Sequence, residues 1–143
     1  MRYEFSAGGV VYKKVRSTSS GFKYLILIGQ HSGHKGWVFP KGLIGDHKKK
    51  EGKEDTAIRE VKEETGVEAN IEKALTPITY WYVWEEEKRR KTVYYFIMKA
   101  TGGKIENHDW EMSDVKWVNV EKVEDTLTYP SDKKVWEEAR KLL

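Results

Sequence analysis

At 143 residues, with 38% apolar and 13% aromatic side chains, the chain can bury a core and is too rich in rings for disorder. The absence of cysteine excludes disulfides, thiolate metal sites and a thiol nucleophile. A net charge of +3, from 26 basic and 23 acidic residues, gives no ground to expect nucleic acid as a partner, and no apolar run reaches the length of a membrane span.

Phe5 to Lys13 is β-branched and bends at Gly8-Gly9, which reads as a strand. The serine-rich stretch 16–21 reads as a loop, and 23–29 as a buried strand. Turn-forming residues fill 30–36. Trp37-Val38-Phe39 then starts an extended piece, with Phe39 held extended by Pro40. The clearest helix is 53–65, with Ala57, Ile58 and Val61 on its apolar side and Gly66 placed to end it. Two long strands, 71–84 and 91–100, flank a connecting loop at 85–90, and 116–120 reads as a further strand. Ser131 is placed to cap a last helix running to Leu143, with Val135, Trp136, Ala139 and Leu142 inward. Nothing resembles a linker or a repeat, so 1–143 is expected to form a single domain. Strands mixed with helices predict an α/β protein with helices on the faces of a mixed sheet. The N-terminus lacks the apolar stretch of a signal peptide, which predicts a cytoplasmic protein with no membrane partner.

The segment Arg59-Glu60-Val61-Lys62-Glu63-Glu64-Thr65-Gly66-Val67 carries the most chemistry. Glu60, Glu63 and Glu64 stand at i, i+3 and i+4, on one helix face behind an arginine. Like charges so placed repel unless something positive compensates. A hard divalent cation that prefers oxygen ligands, magnesium foremost, fits that need. Arg59 can pair with Glu51 or with a carboxylate of the helix and fix its orientation.

This segment resembles the signature of the Nudix hydrolases: Gly, five residues, Glu, seven residues, then Arg-Glu-aliphatic-x-Glu-Glu-x-Gly-aliphatic. Gly45, Glu51, Arg59, Glu60, Val61, Glu63, Glu64, Gly66 and Val67 fill its fixed places. The resemblance implies an α/β/α sandwich with a mixed sheet and a magnesium-dependent hydrolase, with Mn2+ a possible substitute. Its catalytic residues would be Glu60, Glu64 and Arg59. Its metal ligands would be Glu60, Glu63, Glu64 and the carbonyl of the first glycine of the box. That glycine has two candidates. Gly45 has the literal spacing, whereas Gly42 lies in Phe39-Pro40-Lys41-Gly42, which looks like the Pro-Lys-Gly that opens the box in one branch. Eight residues separate Gly42 from Glu51. Gly42 is taken as the equivalent, with three residues inserted in the lysine-rich 45–50 loop.

Further segments look like the diadenosine polyphosphate hydrolase branch: Ala7-Gly8-Gly9-Val10-Val11, Trp37 to Gly42, Lys91-x-Val93-x-Tyr95-Phe96, and Glu111 ahead of Trp117. That branch implies Lys41 and Lys91 on phosphate, and Glu111 as metal ligand or general base in rivalry with a box glutamate. Tyr82, Tyr95 and Tyr129 are candidates for stacking on a base, and His34 for a phosphate contact. The expected partner is a small nucleotide, most of all a diadenosine polyphosphate, and the expected assembly a monomer or homodimer. Alternatives are a nucleoside triphosphate pyrophosphatase, a diphosphoinositol polyphosphate or RNA 5′-end hydrolase, and a nucleotide-sensing module without turnover.

Overall fold

The computed structural model describes residues 1–17, 19, 21–45 and 50–143. Eight strands form one sheet: β1 (Arg2–Ser17), β2 (Gly21–His31), β3 (Trp37–Val38), β4 (Lys41–Leu43), β5 (Val67–Ala74), β6 (Ile78–Trp84), β7 (Glu87–Gly103) and β8 (Met112–Asn119). Helix α1 spans Lys53–Thr65, the short α2 Val123–Thr126 and α3 Pro130–Leu142. The spine of the sheet runs β3-β2-β1-β7-β5, with β4 on β1, β6 on β7 and β8 on β2. Only β1 and β7, among the described pairs, run parallel.

Alternation along β1 divides the interior into two layers. Val10 and Tyr12 point into a core closed by Val135, Trp136 and Ala139 of α3. Ala7 and Val11 point into a second core closed by Ala57 and Val61 of α1. Helices thus cover both faces of a mixed sheet, as the α/β/α expectation requires. No helix among the described residues is long and apolar enough to cross a membrane.

The helix bounds of α1 agree with the sequence reading, and Gly66 shows why it stops. Its φ of +79° is left-handed, its N–H bonds to the Lys62 carbonyl at 2.8 Å, and a Cβ there would lie 2.1 Å from the Lys104 oxygen. Several expectations are corrected. The stretch 71–84 is two strands, not one. Pro77 has no N–H to give to a ladder, and Thr76 turns to Glu138 of α3, so the chain breaks at Leu75–Pro77. The connection at 85–90 shrinks to a turn at Glu85-Glu86, both with positive φ, and β7 resumes at Glu87. The cap of α3 is Tyr129 followed by Pro130, not Ser131. Ile58 and Leu142 face solvent, at 39% and 42% exposure. Part of the lysine-rich loop, 46–49, lies outside the described residues.

Candidate active site

The site forms where β1 changes partners. Ser6–Gly8 pair with β4, whereas Tyr12–Ser17 pair with β2. The edge between them splits, and a cleft of about 420 Å³ opens there. Gly8 permits the split: a Cβ on it would lie 2.1 Å from the Pro40 carbonyl, which accepts the Gly9 N–H at 3.1 Å.

Helix α1 presents Glu60, Glu63 and Glu64 to this cleft. Glu60 and Glu64 are 6% and 5% exposed. Glu64 accepts the Lys41 backbone N–H at 2.9 Å, which ties β4 to α1. Gly42 packs its backbone against Glu60, so closely that a Cβ would fall 2.1 Å from the Glu60 carboxyl carbon. Gly45 instead sits in a turn with φ +78°. Gly42 thus lies against a carboxylate in the cleft lining, and Gly45 is not among the lining residues.

Arg59 is the positive centre of this network. Its Nε and Nη2 donate to the two carboxylate oxygens of Glu51 at 2.8 Å each, and its Nη1 donates to Glu60 at 2.7 Å and Glu63 at 3.2 Å. Glu51 also accepts the Thr56 hydroxyl at 2.7 Å, which gives it a clear structural task. Arg59 does not line the cleft. It orients the carboxylates that do.

Burial lifts both Glu60 and Glu64, the latter well above the ordinary carboxylate range, and neighbouring carboxylates including Glu111 add to the lift. Among the described residues no three acidic or imidazole groups stand together as a ready-made metal cage. The reason is visible: Glu60 and Glu63 turn to Arg59, and Glu64 to the Lys41 N–H. Magnesium asks for only one or two carboxylates plus water and substrate oxygens. An excess of desolvated carboxylates around a glycine without a Cβ fits such an ion.

The sheet supplies the opposite charge. Lys41 of β4 and Lys91 of β7 both line the cleft. Burial, then the charge of Lys41, pushes the Lys91 ammonium below its usual range. Two lysines that repel one another across a cleft favour an anion between them. Glu111 also lines the cleft. Its backbone is pinned from both sides: its N–H donates to Asp109 at 3.0 Å, and its carbonyl accepts the Ser32 N–H at 2.8 Å.

The aromatic candidates separate. Tyr82 lines the cleft, its hydroxyl donating to Glu4, which also faces Arg89 at 3.7 Å. Tyr95 is corrected: it is 3% exposed, packs edge-on against Phe39 and reaches Asp132, so no base can stack on it. Tyr129 stands behind the rim, its hydroxyl 2.8 Å from Nδ1 of His34, and does not itself line the cleft. His34 does line it, stacked on His31 at 4.2 Å between ring centres. Nδ1 of each imidazole accepts a backbone N–H, from Gly36 for His34 and from Gly33 for His31, at 3.0 Å in both. Desolvation, then His31 and Lys41, lowers the pKa of His34.

Tyr80 and His31 are polar lining residues that the sequence reading does not pick out. Tyr80 lies two positions before Tyr82 on β6, so strand alternation puts both on one face, and that signal was available. His31 ends β2, and only the geometry of the following loop folds it back onto His34.

Fold and site together define an α/β/α sandwich with a carboxylate-bearing helix at the edge of a cleft that two lysines line. The chain belongs to the NUDIX domain family, whose model matches residues 7–139. It is similar to a Mycobacterium tuberculosis protein that carries the name mutator protein MutT4, with 34% identity over 143 residues. That alignment covers 99% of this chain and 56% of the relative, so the chain spans little more than half the relative's length. An 8-oxo-(d)GTP phosphatase of Mycolicibacterium smegmatis is 34% identical over 99 residues, covering 69% of this chain and 28% of that protein. Among solved structures, the fold is shared with a binary complex of the C. elegans Ap4A hydrolase. The TM-score is 0.68 at 22% identity, over 97% of this chain and 96% of that one.

Proposed function

We propose that residues 1–143 act as one Nudix hydrolase domain that cleaves a phosphoanhydride in a nucleoside polyphosphate, most of all a diadenosine polyphosphate with ATP among the products. The observation that carries this reading is the joining, in one cleft, of Glu60, Glu63, Glu64 and Glu111 with Lys41 and Lys91. A divalent cation held by Glu60, Glu63, Glu64 and the Gly42 carbonyl would neutralise phosphate charge and lower the pKa of a bound water. Lys41 and Lys91 hold the polyphosphate. Glu111 faces the same space and can accept the proton of the attacking water. Arg59 keeps Glu60 and Glu63 aimed, and so acts through them.

Support for two bases comes from the sheet order. Tyr80 and Tyr82 stand on β6, beyond β7, whereas His31 and His34 stand on the β2 side of β1. Rings thus flank the phosphate-binding centre from both directions, as a substrate with a base at each end requires. A second reading, a pyrophosphatase of oxidised guanosine triphosphates, is favoured by the identity to the 8-oxo-(d)GTP phosphatase.

The two readings differ in kcat/KM. With magnesium, diadenosine tetraphosphate is expected to exceed ATP, GTP and 8-oxo-dGTP by at least about tenfold, or about 1.4 kcal/mol of transition-state binding. Tyr82→Ala should remove most of that margin. A preference for 8-oxo-dGTP selects the second reading, and binding of nucleotides without turnover at any divalent metal sinks both.

A further inference from the structure

The two strand pairings around β7 create a second surface, on the face of the sheet away from Lys91 and Tyr82. Arg90 is opposite Tyr3 on β1 and opposite Trp81 on β6. Successive residues alternate, so Tyr3, Phe5, Trp81, Val83, Lys88 and Arg90 share this face. Its rings are exposed to solvent: Tyr3 is 57% exposed, Phe5 48% and Trp81 48%. Its cations lie on those rings. The Arg90 guanidinium is 5.8 Å from the Tyr3 ring centre and 5.9 Å from that of Trp81, and the Lys88 ammonium is 4.7 Å from Trp81. Farther along the same face, Lys53 of α1 sits 4.8 Å over Tyr94.

The described acid groups of this end are elsewhere. Glu4 faces the cleft, Glu85 and Glu86 are in the turn, and Glu87 pairs with Arg89 on the cleft side. Glu54 begins α1 beside Lys53. Among the described residues, the strands therefore offer cations and open rings with no carboxylate between them. A mild net charge hides this, because the excess is local.

We propose that this face, built on Tyr3, Phe5, Trp81, Lys88 and Arg90, is a docking surface for single-stranded nucleic acid. The charge pattern selects an anionic occupant. A second copy of the chain in a two-fold contact would set the same cations against themselves and bury them unpaired. The open rings select an occupant with its own π-faces: unpaired bases stack on exposed aromatics, whereas bases in a duplex are already stacked. Arg90, between two rings, can meet a phosphate while keeping its face on either ring. The surface lies outside the hydrolytic cleft and goes beyond the proposed activity.

The test is fluorescence anisotropy with a 3′-labelled single-stranded oligonucleotide bearing a 5′-hydroxyl, in RNA and DNA forms, so that the cleft has no phosphorylated end to grip. Trp81→Ala is expected to weaken binding by about 5- to 160-fold, the range for one lost stacking platform. Lys88→Ala with Arg90→Ala is expected to make the salt dependence shallower by about 1.4 in log–log slope, at about 0.7 per cation for single strands. Neither change should alter hydrolysis of diadenosine tetraphosphate, and saturating that substrate should not displace the oligonucleotide. The proposal is overturned by no binding at low salt, by binding that Trp81→Ala leaves unchanged, or by displacement with nucleotide. Light scattering that finds a dimer abolished by Trp81→Ala also overturns it, since the face then belongs to a second copy.

Discussion

Glu64→Gln is expected to cut turnover on the order of a thousandfold and, at the same time, to stabilise the metal-free protein. The first effect follows from removing the charge of a proposed metal ligand, worth several kcal/mol in a reaction where each 1.4 kcal/mol is about tenfold. The second follows from burial. Glu64 is 5% exposed, and desolvation raises its pKa well above the ordinary value. A raised carboxyl pKa means that the fold favours the protonated form. As pH rises above the unfolded pKa, the unfolded chain releases its proton first, and stability falls until the folded pKa is passed. Above that point the penalty stays in full. Glutamine has no such penalty and can still accept the Lys41 N–H. Thermal unfolding in EDTA should therefore show a higher Tm for the variant at neutral pH, by about 3 °C for each kcal/mol relieved. The two proteins should converge under acid. Magnesium should narrow the gap from the wild-type side only. A variant that is less stable than wild type in EDTA at neutral pH would mean that the Glu64 charge is already compensated by the protein itself.

Arg59→Met is expected to destabilise the protein by about 3 kcal/mol, because it takes the guanidinium from carboxylates in a poorly solvated place. The side chain of Glu51 is 5% exposed and that of Glu60 7%, and the two share the Arg59 guanidinium. Methionine keeps the aliphatic stem, so the loss reports charge rather than volume. Turnover should drop by about 10- to 100-fold, as for a residue that orients ligands without touching substrate. Urea unfolding in EDTA measures the first effect. The double variant Glu51→Gln with Arg59→Met should regain much of the stability but not the activity, since Glu60 and Glu63 stay unaimed. A loss well under about 1 kcal/mol would mark this network as an ordinary surface ion pair.

The helix and its carboxylates were legible because spacing alone fixes their geometry: i, i+3 and i+4 share a face wherever the helix lies. The Pro-Lys-Gly segment was legible for a different reason. Pro40 restricts the backbone, and Gly42 must stay bare because Glu60 presses on it. The sheet was harder. Val93, Tyr95, Phe96, Ile97 and Met98 of β7 are buried on both faces, so alternation carries no sign of which ring meets the cleft. Tyr95 was misplaced on that account. On β6 the burial alternates, which puts Tyr80 and Tyr82 on one face. The break at Pro77 is readable from the sequence, since a proline cannot donate to a ladder, whereas the folding of His31 onto His34 depends on a loop that local pattern does not encode.

The most direct measurement is hydrolysis of diadenosine tetraphosphate by the wild-type protein with magnesium in oxygen-18 water, with products identified by mass. ATP and AMP, one of them carrying a single labelled oxygen, would show water attack at one phosphorus of a two-base substrate held in this cleft. Intact substrate after prolonged incubation, under conditions where the protein hydrolyses nucleoside triphosphates or only binds nucleotide, would contradict the assignment.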